Sequence, residues 1–280
     1  MKKIEYKLER DLIYIDDIEL SYGEGVNKKV IVSNFSMREK DVIIPGKITG
    51  QIISIIGPSG CGKSTLFKAM TGLLNPSRGK VLINDMSIEN KAKVVEAGDI
   101  GFIDQTYTLF RHKTIKETII YAMQFGSNKS LTEKEKSDKA NDLMANWGLY
   151  NQRDQYPFEL SGGQRQRTAI LEKIMSSKGF LIMDEPASGL DVKNIEQLKF
   201  NINNIAKECE TNTTIFSTHD INLAVEMSDS IYVIGKKNKE DSSSQLIQHY
   251  DLKEMGLAWN GFSNEHLDLS KEIKKIILNS

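Results

Sequence analysis

The sequence predicts an α/β fold with a mostly parallel sheet covered by helices, an N-terminal antiparallel β-subdomain and an inserted helical subdomain. Three observations predict it. Short apolar runs alternate with helical patterns from Ile52 to Ile234, as in parallel sheets whose strands are joined by helices. Runs that alternate polar and apolar residues precede them, and mainly helical patterns interrupt them at about residues 106–160.

The strands are predicted from two patterns. LIYIDDIELSY, KVIVSNFSM and DVIIP are short alternating runs rich in β-branched and aromatic residues, as in strands of an antiparallel sheet. IISIIG is continuously apolar, as in a strand buried on both faces. Further buried strands of the parallel sheet are predicted at Lys80 to Ile83, Ile100 to Ile103, Phe180 to Met183, Thr213 to Phe216 and Ile231 to Ile234.

The helices are predicted from apolar stripes and capping residues. In KSTLFKAMTGL, one face carries Leu66, Met70 and Leu73. In the helical subdomain, Thr132 is followed by a glutamate at capping-box spacing, and Gly148 ends the pattern. We expect the main domain to span residues 10–235 and a short C-terminal tail, residues 236–280, to pack on this core.

The bulk composition is that of a soluble globular protein. The chain has 280 residues, 39% hydrophobic and 27% charged, with a net charge of −1. This balance gives no reason to expect nucleic-acid binding or an anionic membrane surface as a partner. The sequence shows no apolar stretch of membrane-span length, and Cys61 and Cys209 lack disulfide or metal-ligand spacing. These features favour a cytosolic protein whose membrane role, if any, depends on a partner.

The stretch GPSGCGKST matches G-x-x-x-x-G-K-[ST] between a predicted strand and a predicted helix. Glycines let backbone N–H groups surround phosphate oxygens, and the helix N-terminus adds its positive dipole end. Lys63 would reach the outer phosphates and Ser64 would bind Mg²⁺. A P-loop NTPase core is therefore predicted, with a ligand-free glycine turn as the alternative. The predicted nucleotide-binding residues here are Gly57, Pro58, Ser59, Gly60, Cys61, Gly62, Lys63, Ser64 and Thr65.

Two acids follow the apolar strand in FLIMDEP. They emerge at the carboxyl end of the strand, where open α/β sheets bind ligands. Asp184 would engage Mg²⁺ through its water shell, and Glu185 would polarise the attacking water. The alternative is that these two acids are only solvated charges of a loop. The phosphate loop in the same chain favours the role at the nucleotide over this alternative.

A second glycine-rich helix start, ELSGGQRQRTAI, lies about a hundred residues beyond Lys63. With GPSGCGKST, the glutamine of GFIDQTYTLF, FLIMDEP, SGLD and STHD, it makes residues 10–235 resemble the ATP-binding cassette (ABC) ATPases. The resemblance implies ATP and Mg²⁺ as cofactors. It also implies head-to-tail dimers, in which Ser161, Gly162, Gly163 and Gln164 of one subunit complete the site of the other.

The resemblance implies further roles residue by residue. Tyr22 aligns loosely with the aromatic residue that stacks on adenine, with a tyrosine of a core strand as the alternative. Gln105 matches the glutamine that contacts Mg²⁺ and the attacking water. Asp191 lies where the family communicates between two nucleotide sites, and His219 matches the histidine that contacts the terminal phosphate.

The chain also departs from the family pattern. Many members continue after the signature with a small residue, arginine and another small residue, where this chain has Leu171, Glu172 and Lys173. This change leaves the phosphate chemistry intact and puts neighbouring salt bridges in doubt. TYTLFRHKTIKETI keeps the segment that faces the membrane subunits in transporters.

The resemblance favours the ATPase subunit of a transporter, peripheral on the cytoplasmic face of the membrane. Its partners would be a second copy, separately encoded permease subunits and a solute-binding protein. The tail loosely resembles that of nitrate, sulfonate and taurine importers, while lipid and export systems also use separate cassettes. A soluble assembly ATPase, such as an iron-sulfur cluster scaffold, is the main alternative. DNA-repair ABC ATPases carry a long coiled-coil insertion, for which the roughly hundred residues between Lys63 and Ser161 leave no room. Translation-factor types carry two cassettes, whereas this chain has a single set of motifs.

Overall fold

The computed structural model describes residues 4–85, 91–104, 106–126, 128–177, 179–208, 211–238 and 240–280. Its strands are β1 Lys7–Tyr22, β2 Lys29–Ile43, β3 Gln51–Ile56, β4 Arg78–Asp85, β5 Lys91–Val94, β6 Gly101–Ile103, β7 Phe180–Met183, β8 Thr213–Thr218, β9 Ser230–Gly235 and β10 Gln245–Asp251. Its helices are α1 Lys63–Met70, α2 Ile115–Ala122, α3 Glu133–Asn146, α4 Gly162–Ser176, α5 Val192–Glu208, α6 Ile221–Met227 and α7 Asn264–Asn279. The predicted α/β fold is confirmed.

The main sheet has the strand order β10-β9-β3-β8-β7-β6. Neighbouring strands from β9 to β6 are parallel, and β10 joins the edge in antiparallel orientation. All residues of β3 and β8 are buried, which explains the continuous apolar run in β3. The carboxyl ends of β3, β7 and β8 therefore meet at one edge of the sheet.

A second sheet with the order β2-β1-β4-β5 is antiparallel throughout. Its buried face forms one hydrophobic cluster with α1 and β3. Assigning Lys80–Ile83 to the parallel sheet was wrong, because Val81 and Ile83 in β4 pair with β1. Both side chains are buried, whereas Leu82 between them is only half-buried. A run of four residues is too short to distinguish this alternation from full burial.

The helix after the phosphate loop is shorter than predicted. Leu66 and Met70 are fully buried in α1, but Leu73 is 57% exposed. The helix ends at Met70, and Gly72 has φ of +71°, a left-handed conformation that turns the chain out of the helix. The stripe predicted for Leu73 therefore does not continue.

Helices α2, α3 and α4 pack around a second hydrophobic cluster beside β6 and β7. Thr132 and Glu135 form the predicted capping box of α3. Gly148 has φ of +64° just beyond its end, which confirms the predicted stop. Helices α2 and α3 thus hold α4 and its glycine-rich start against the main sheet.

Residues 245–280 add β10 and α7 to the edge of the main sheet. Leu252, Leu269 and Ile273 are buried in a third hydrophobic cluster with α6 and β9. The ring of Trp259 meets Tyr6 edge to face with centroids 5.7 Å apart. Within the described ranges, no helix is both long enough and apolar enough to cross a membrane.

Candidate nucleotide-binding site

A cavity of about 430 Å³ lies at the edge where β3, β7 and β8 end. The loop after β3 and the start of α1 contribute Ser59, Gly60, Gly62, Lys63, Ser64 and Thr65 to its lining. The segments after β7 and β8, together with β2, contribute Asp184, Glu185, Ser188, His219 and Ile31. The fold thus brings together residues that are up to about 190 positions apart in the sequence.

Glycines are required by the backbone of the phosphate loop. Gly60 and Gly62 have φ of +77° and +98°, which glycine adopts without the steric cost of a Cβ. A Cβ on Gly62 would lie 2.8 Å from a methyl group of Val32, and one on Gly57 would overlap the carbonyl of Ile234. The loop therefore fits closely against neighbouring strands while α1 begins at Lys63 with its N-terminal N–H groups at the cavity.

Lys63 is the cation of the cavity. Its Nζ donates to the carbonyls of Gly57 at 3.0 Å and Pro58 at 3.3 Å and lies 3.7 Å from Glu185 Oε1. The residue is 7% exposed, so its charge acts with little screening by water. Cys61 is buried in the adjoining hydrophobic cluster, and burial raises the pKa of its thiol. This thiol packs in the loop and is not part of the cavity lining.

The two acids after β7 are held by Ser217 at the end of β8 and by His219 just after it. Ser217 Oγ donates to Asp184 Oδ1 at 2.6 Å and accepts the backbone N–H of Glu185 at 2.9 Å. His219 Nδ1 lies 2.8 Å from Glu185 Oε2. Glu185 has φ of +51°, a conformation that is uncommon for residues other than glycine and recurs at functional sites.

The oxygen donors of the cavity fit a magnesium ion. The hydroxyl of Ser64 and the carboxylate of Asp184 both belong to the lining. Among the described residues, no group of three or more His, Cys, Asp or Glu side chains could hold a metal. Mg²⁺ is commonly bound by only one or two protein oxygens together with phosphates and water, so this donor set suits a nucleotide-bound ion.

Other predicted site residues lie apart from this cavity or outside the described residues. Gln105 is among the latter. Tyr22 ends β1 with 45% exposure and is not part of the lining, whereas Ile31 of β2 is. Asp191 Oδ1 accepts the backbone N–H of Asn194 at 2.8 Å in the first turn of α5, which is the role of a helix cap.

The residues at the glycine-rich start of α4 are not among those that line this cavity. Ser161 is the N-cap of α4 and forms a capping box with Gln164, whose Oε1 accepts the Ser161 N–H at 2.9 Å. Ser161 and Gly162 are exposed, and no atom would lie within 4 Å of a Cβ on Gly162. A Cβ on Gly163 would meet Asn194 Oδ1 at 2.9 Å.

Sequence reasoning missed three polar residues that link these segments. Ser217 is one, and its signal in the sequence was a serine directly after the predicted buried strand and two positions before His219. Gln166 Nε2 donates to the Pro186 carbonyl at 2.6 Å and to the Tyr107 hydroxyl at 2.9 Å. Tyr107 donates to the same carbonyl at 2.9 Å. These bonds join α4, the segment after β6 and the acidic loop.

Comparisons with known proteins indicate the family of this chain. A family model described as ABC transporter matches residues 48–188. The chain is 33% identical over 202 residues to the sulfate/thiosulfate import ATP-binding protein CysA of Synechocystis, which covers 71% of this chain and 55% of CysA. It is 35% identical over 203 residues to the carnitine transport ATP-binding protein OpuCA of Listeria monocytogenes, over 71% of this chain and 50% of OpuCA. The match thus spans about half the length of these relatives.

A shorter relative and a solved structure give fuller coverage. An uncharacterized ABC transporter ATP-binding protein, YtlC of Bacillus subtilis, is 35% identical over 207 residues, covering 72% of this chain and 76% of YtlC. The dimeric post-hydrolysis structure of the ATP-binding cassette MJ0796 with ADP and Pi aligns over 90% of this chain and all of that chain. The TM-score is 0.69 at 23% identity, which shows a common fold. The chain belongs to the ABC transporter family.

Proposed function

We propose that this chain binds ATP with Mg²⁺ and hydrolyses it as the nucleotide-binding subunit of a membrane transporter. One observation carries the proposal. A cation, a hydroxyl, two carboxylates and an imidazole converge on one cavity, from Lys63, Ser64, Asp184, Glu185 and His219. This set can bind a polyphosphate, hold a cation and activate water, which are the three tasks of phosphoryl transfer to water.

The phosphate loop and α1 bind the phosphates. N–H groups of the glycine-rich turn and the N-terminus of α1 offer hydrogen bonds to phosphate oxygens, and Lys63 adds a buried positive charge. Ser64 and Asp184 would hold Mg²⁺, which neutralises charge on the outer phosphates. Lys63 lies close to both the loop carbonyls and Glu185, so it can approach the outer phosphates without leaving the cavity.

Glu185 and His219 are placed for water activation. Glu185 is the general base, since its carboxylate accepts a proton from the attacking water. His219 orients that carboxylate through the 2.8 Å contact with Oε2 and would contact the terminal phosphate, as its resemblance to the family histidine implies. A positioned general base contributes about 10²- to 10⁴-fold to a rate. Gln105 would contact Mg²⁺ and the same water, as its resemblance to the family glutamine implies.

The start of α4 acts on a second copy of the chain. Ser161 and Gly162 are exposed and do not line the cavity of their own chain, yet a helix N-terminus with two glycines is suited to an anion. In a head-to-tail homodimer, Ser161, Gly162 and Gly163 would cap the terminal phosphate held by the partner's loop. Asp191, next to this interface, would link the two sites, and Tyr22 would contact the adenine.

An exposed aromatic groove is proposed as the docking surface for separately encoded permease subunits. Phe125, Phe110 and Leu73 are 60%, 36% and 57% exposed, and they line a cavity of about 410 Å³. Glu172 and Lys173, which replace the family's arginine and small residue, pair at 3.1 Å on its wall. Exposed aromatic groups beside a charged pair suit a cytoplasmic loop of a permease.

This arrangement would place the chain peripherally on the cytoplasmic face of the membrane. The relatives named above import sulfate or thiosulfate and transport carnitine, which supports import of a small solute delivered by a solute-binding protein. We take an anion of the nitrate, sulfonate or taurine kind as the first cargo to test. Co-purification of a polytopic membrane protein with this chain in detergent, lost on Phe125→Asp, tests the transport assignment.

Complementation between two inactive variants tests the composite site. Lys63→Ala should lose nucleotide binding, whereas Ser161→Arg should bind nucleotide but fail to dimerise with ATP. Mixing the two variants creates one site with an intact Lys63 from one subunit and an intact Ser161 from the other. We expect phosphate release from the mixture and nearly none from either variant alone. A mixture as inactive as its components would refute the shared site.

A further inference from the structure

Ser217 joins both acids of the nucleotide site through one hydroxyl group. It lies in β8 between β3 and β7 and is fully buried. Its Oγ donates to Asp184 Oδ1 at 2.6 Å and accepts the Glu185 N–H at 2.9 Å. A hydroxyl has one proton to donate and lone pairs to accept, so this geometry uses both capacities on the two adjacent residues that follow β7.

Each of these bonds constrains a group that must be placed accurately. The bond to Asp184 is short and charge-assisted, which gives it more strength and direction than a bond between neutral groups. It fixes one carboxylate oxygen and thereby the direction of the other. The bond from Glu185 holds a backbone with φ of +51°, a conformation that persists only where its surroundings stabilise it.

The same strand end also controls the Glu185 side chain. His219 follows Ser217 by two positions, and its Nδ1 lies 2.8 Å from Glu185 Oε2. Ser217 therefore fixes the backbone of Glu185 while His219 fixes its carboxylate. A shift of about 1 Å in such groups can cost about 100-fold in rate.

We propose that Ser217 is a positioning residue that orients Asp184 toward the magnesium ion and Glu185 toward the attacking water. The inference rests on the proposed ATPase function. Ser217 does not line the cavity and acts through the two acids. Loss of its hydroxyl should raise the Mg²⁺ concentration that nucleotide binding requires and should slow turnover, because both acids lose their common anchor.

Ser54 provides a matched control. It lies in β3, where it pairs with Phe216, the residue before Ser217. Ser54 is also fully buried, and its Oγ has no hydrogen-bond partner within the described ranges. Ser54→Ala therefore removes a buried hydroxyl from the adjacent strand without touching either acid.

The test measures binding of a fluorescent ATP analogue during Mg²⁺ titration, and ATP turnover, for the full chain. For Ser217→Ala we expect a roughly tenfold higher Mg²⁺ concentration at half-saturation and a kcat lower by about tenfold or more. Analogue affinity in EDTA should be unchanged. Ser217→Thr keeps the hydroxyl in a strand-forming residue and should restore both values, and Ser54→Ala should match wild type.

Normal Mg²⁺ dependence and kcat in Ser217→Ala, beside an active wild type, would overturn the inference. Equal defects in Ser54→Ala and Ser217→Ala would also overturn it, since they would reflect core packing alone. If Ser217→Ala does not fold, Ser217→Cys is measured in its place, because a thiol forms weaker hydrogen bonds than a hydroxyl. Wild-type Mg²⁺ dependence and kcat in Ser217→Cys would likewise overturn the inference. A folded wild type that neither binds nor hydrolyses ATP would instead refute the proposed function.

Discussion

Replacing Lys253 by methionine should destabilise the protein by about 3 kcal/mol. The Lys253 side chain is 2% exposed, and its Nζ donates to Ser230 Oγ at 2.7 Å and lies 3.5 Å from Glu39 Oε2. Methionine is similar in length, so the main loss is the partner of a buried carboxylate rather than packed volume. Removing one member of a buried pair costs about 3 to 5 kcal/mol. The lower value applies because Glu39 keeps the hydroxyl of Tyr232 at 2.8 Å.

This loss should be visible as a lower melting temperature. Unfolding entropy of about 2.1 cal/mol/K per residue gives about 0.6 kcal/mol/K for a chain of this size. A loss of about 3 kcal/mol then lowers Tm by about 5 °C. Thermal and urea denaturation of the purified variant, followed by circular dichroism, measure the change.

Two further variants make the test specific. Lys271→Met removes an ion pair with Asp268 at 2.8 Å in which both side chains are more than 70% exposed, and it should shift Tm by about 1 °C or less. Combining Glu39→Gln with Lys253→Met should cost less than the two single losses together, because the double variant removes the buried Glu39 charge along with its partner. A Lys253→Met variant whose Tm lies within 1 °C of wild type would refute the argument that Lys253 is needed to neutralise the buried carboxylate of Glu39.

Three other predictions concern single residues. Burial raises the pKa of Asp229 from 3.8 to about 7. Between these pH values the folded protein keeps a proton that the unfolded chain releases. The contribution of this carboxyl group to the stability of the folded state is therefore lost as the pH rises toward 7. In urea denaturation, the stability of Asp229→Asn relative to wild type should accordingly be higher at pH 8 than at pH 4.5. The same stability difference between the two proteins at both pH values would contradict this prediction. Glu185→Gln keeps the shape beside His219 but loses the base, so ATP should accumulate in a dimer with turnover at least about 100-fold lower; normal phosphate release would remove Glu185 from its role. Gly62→Ala places a Cβ at a residue with φ of +98° and should weaken ATP binding by about tenfold in a fluorescence titration. Unchanged ATP affinity would show that the loop does not need a glycine at this position.

The phosphate-loop motif and its strand-loop-helix context could be predicted because adjacent residues determine them. The conformations of Gly60 and Gly62 follow from local sterics, and Lys63 begins the helix that the motif requires. Ser217 could not be assigned in this way. Its role depends on β8 lying beside β7, a neighbour relation between strands about 30 residues apart.

Local patterns also misled where burial depends on the partner sheet. Val81 and Ile83 gave the same signal as a strand of the parallel sheet, and only pairing with β1 decided their sheet. Leu73 continued an apolar stripe that the turn at Gly72 ends. The place of Ile31 in the cavity lining likewise depends on how β2 approaches the loop.

The sequence by itself determined which side chains are available for the proposed ATP chemistry, because the groups proposed to bind phosphate and to activate water stand in short motifs at fixed spacings. GPSGCGKST, FLIMDEP and the histidine of STHD identify these groups without a structure. Only the tertiary structure decided how the groups meet: the contact of His219 with Glu185, the anchoring of both acids by Ser217, and the burial of Lys253 against Glu39. Such contacts join residues far apart in the chain, and their geometry follows from strand order and packing, which local periodicity does not encode.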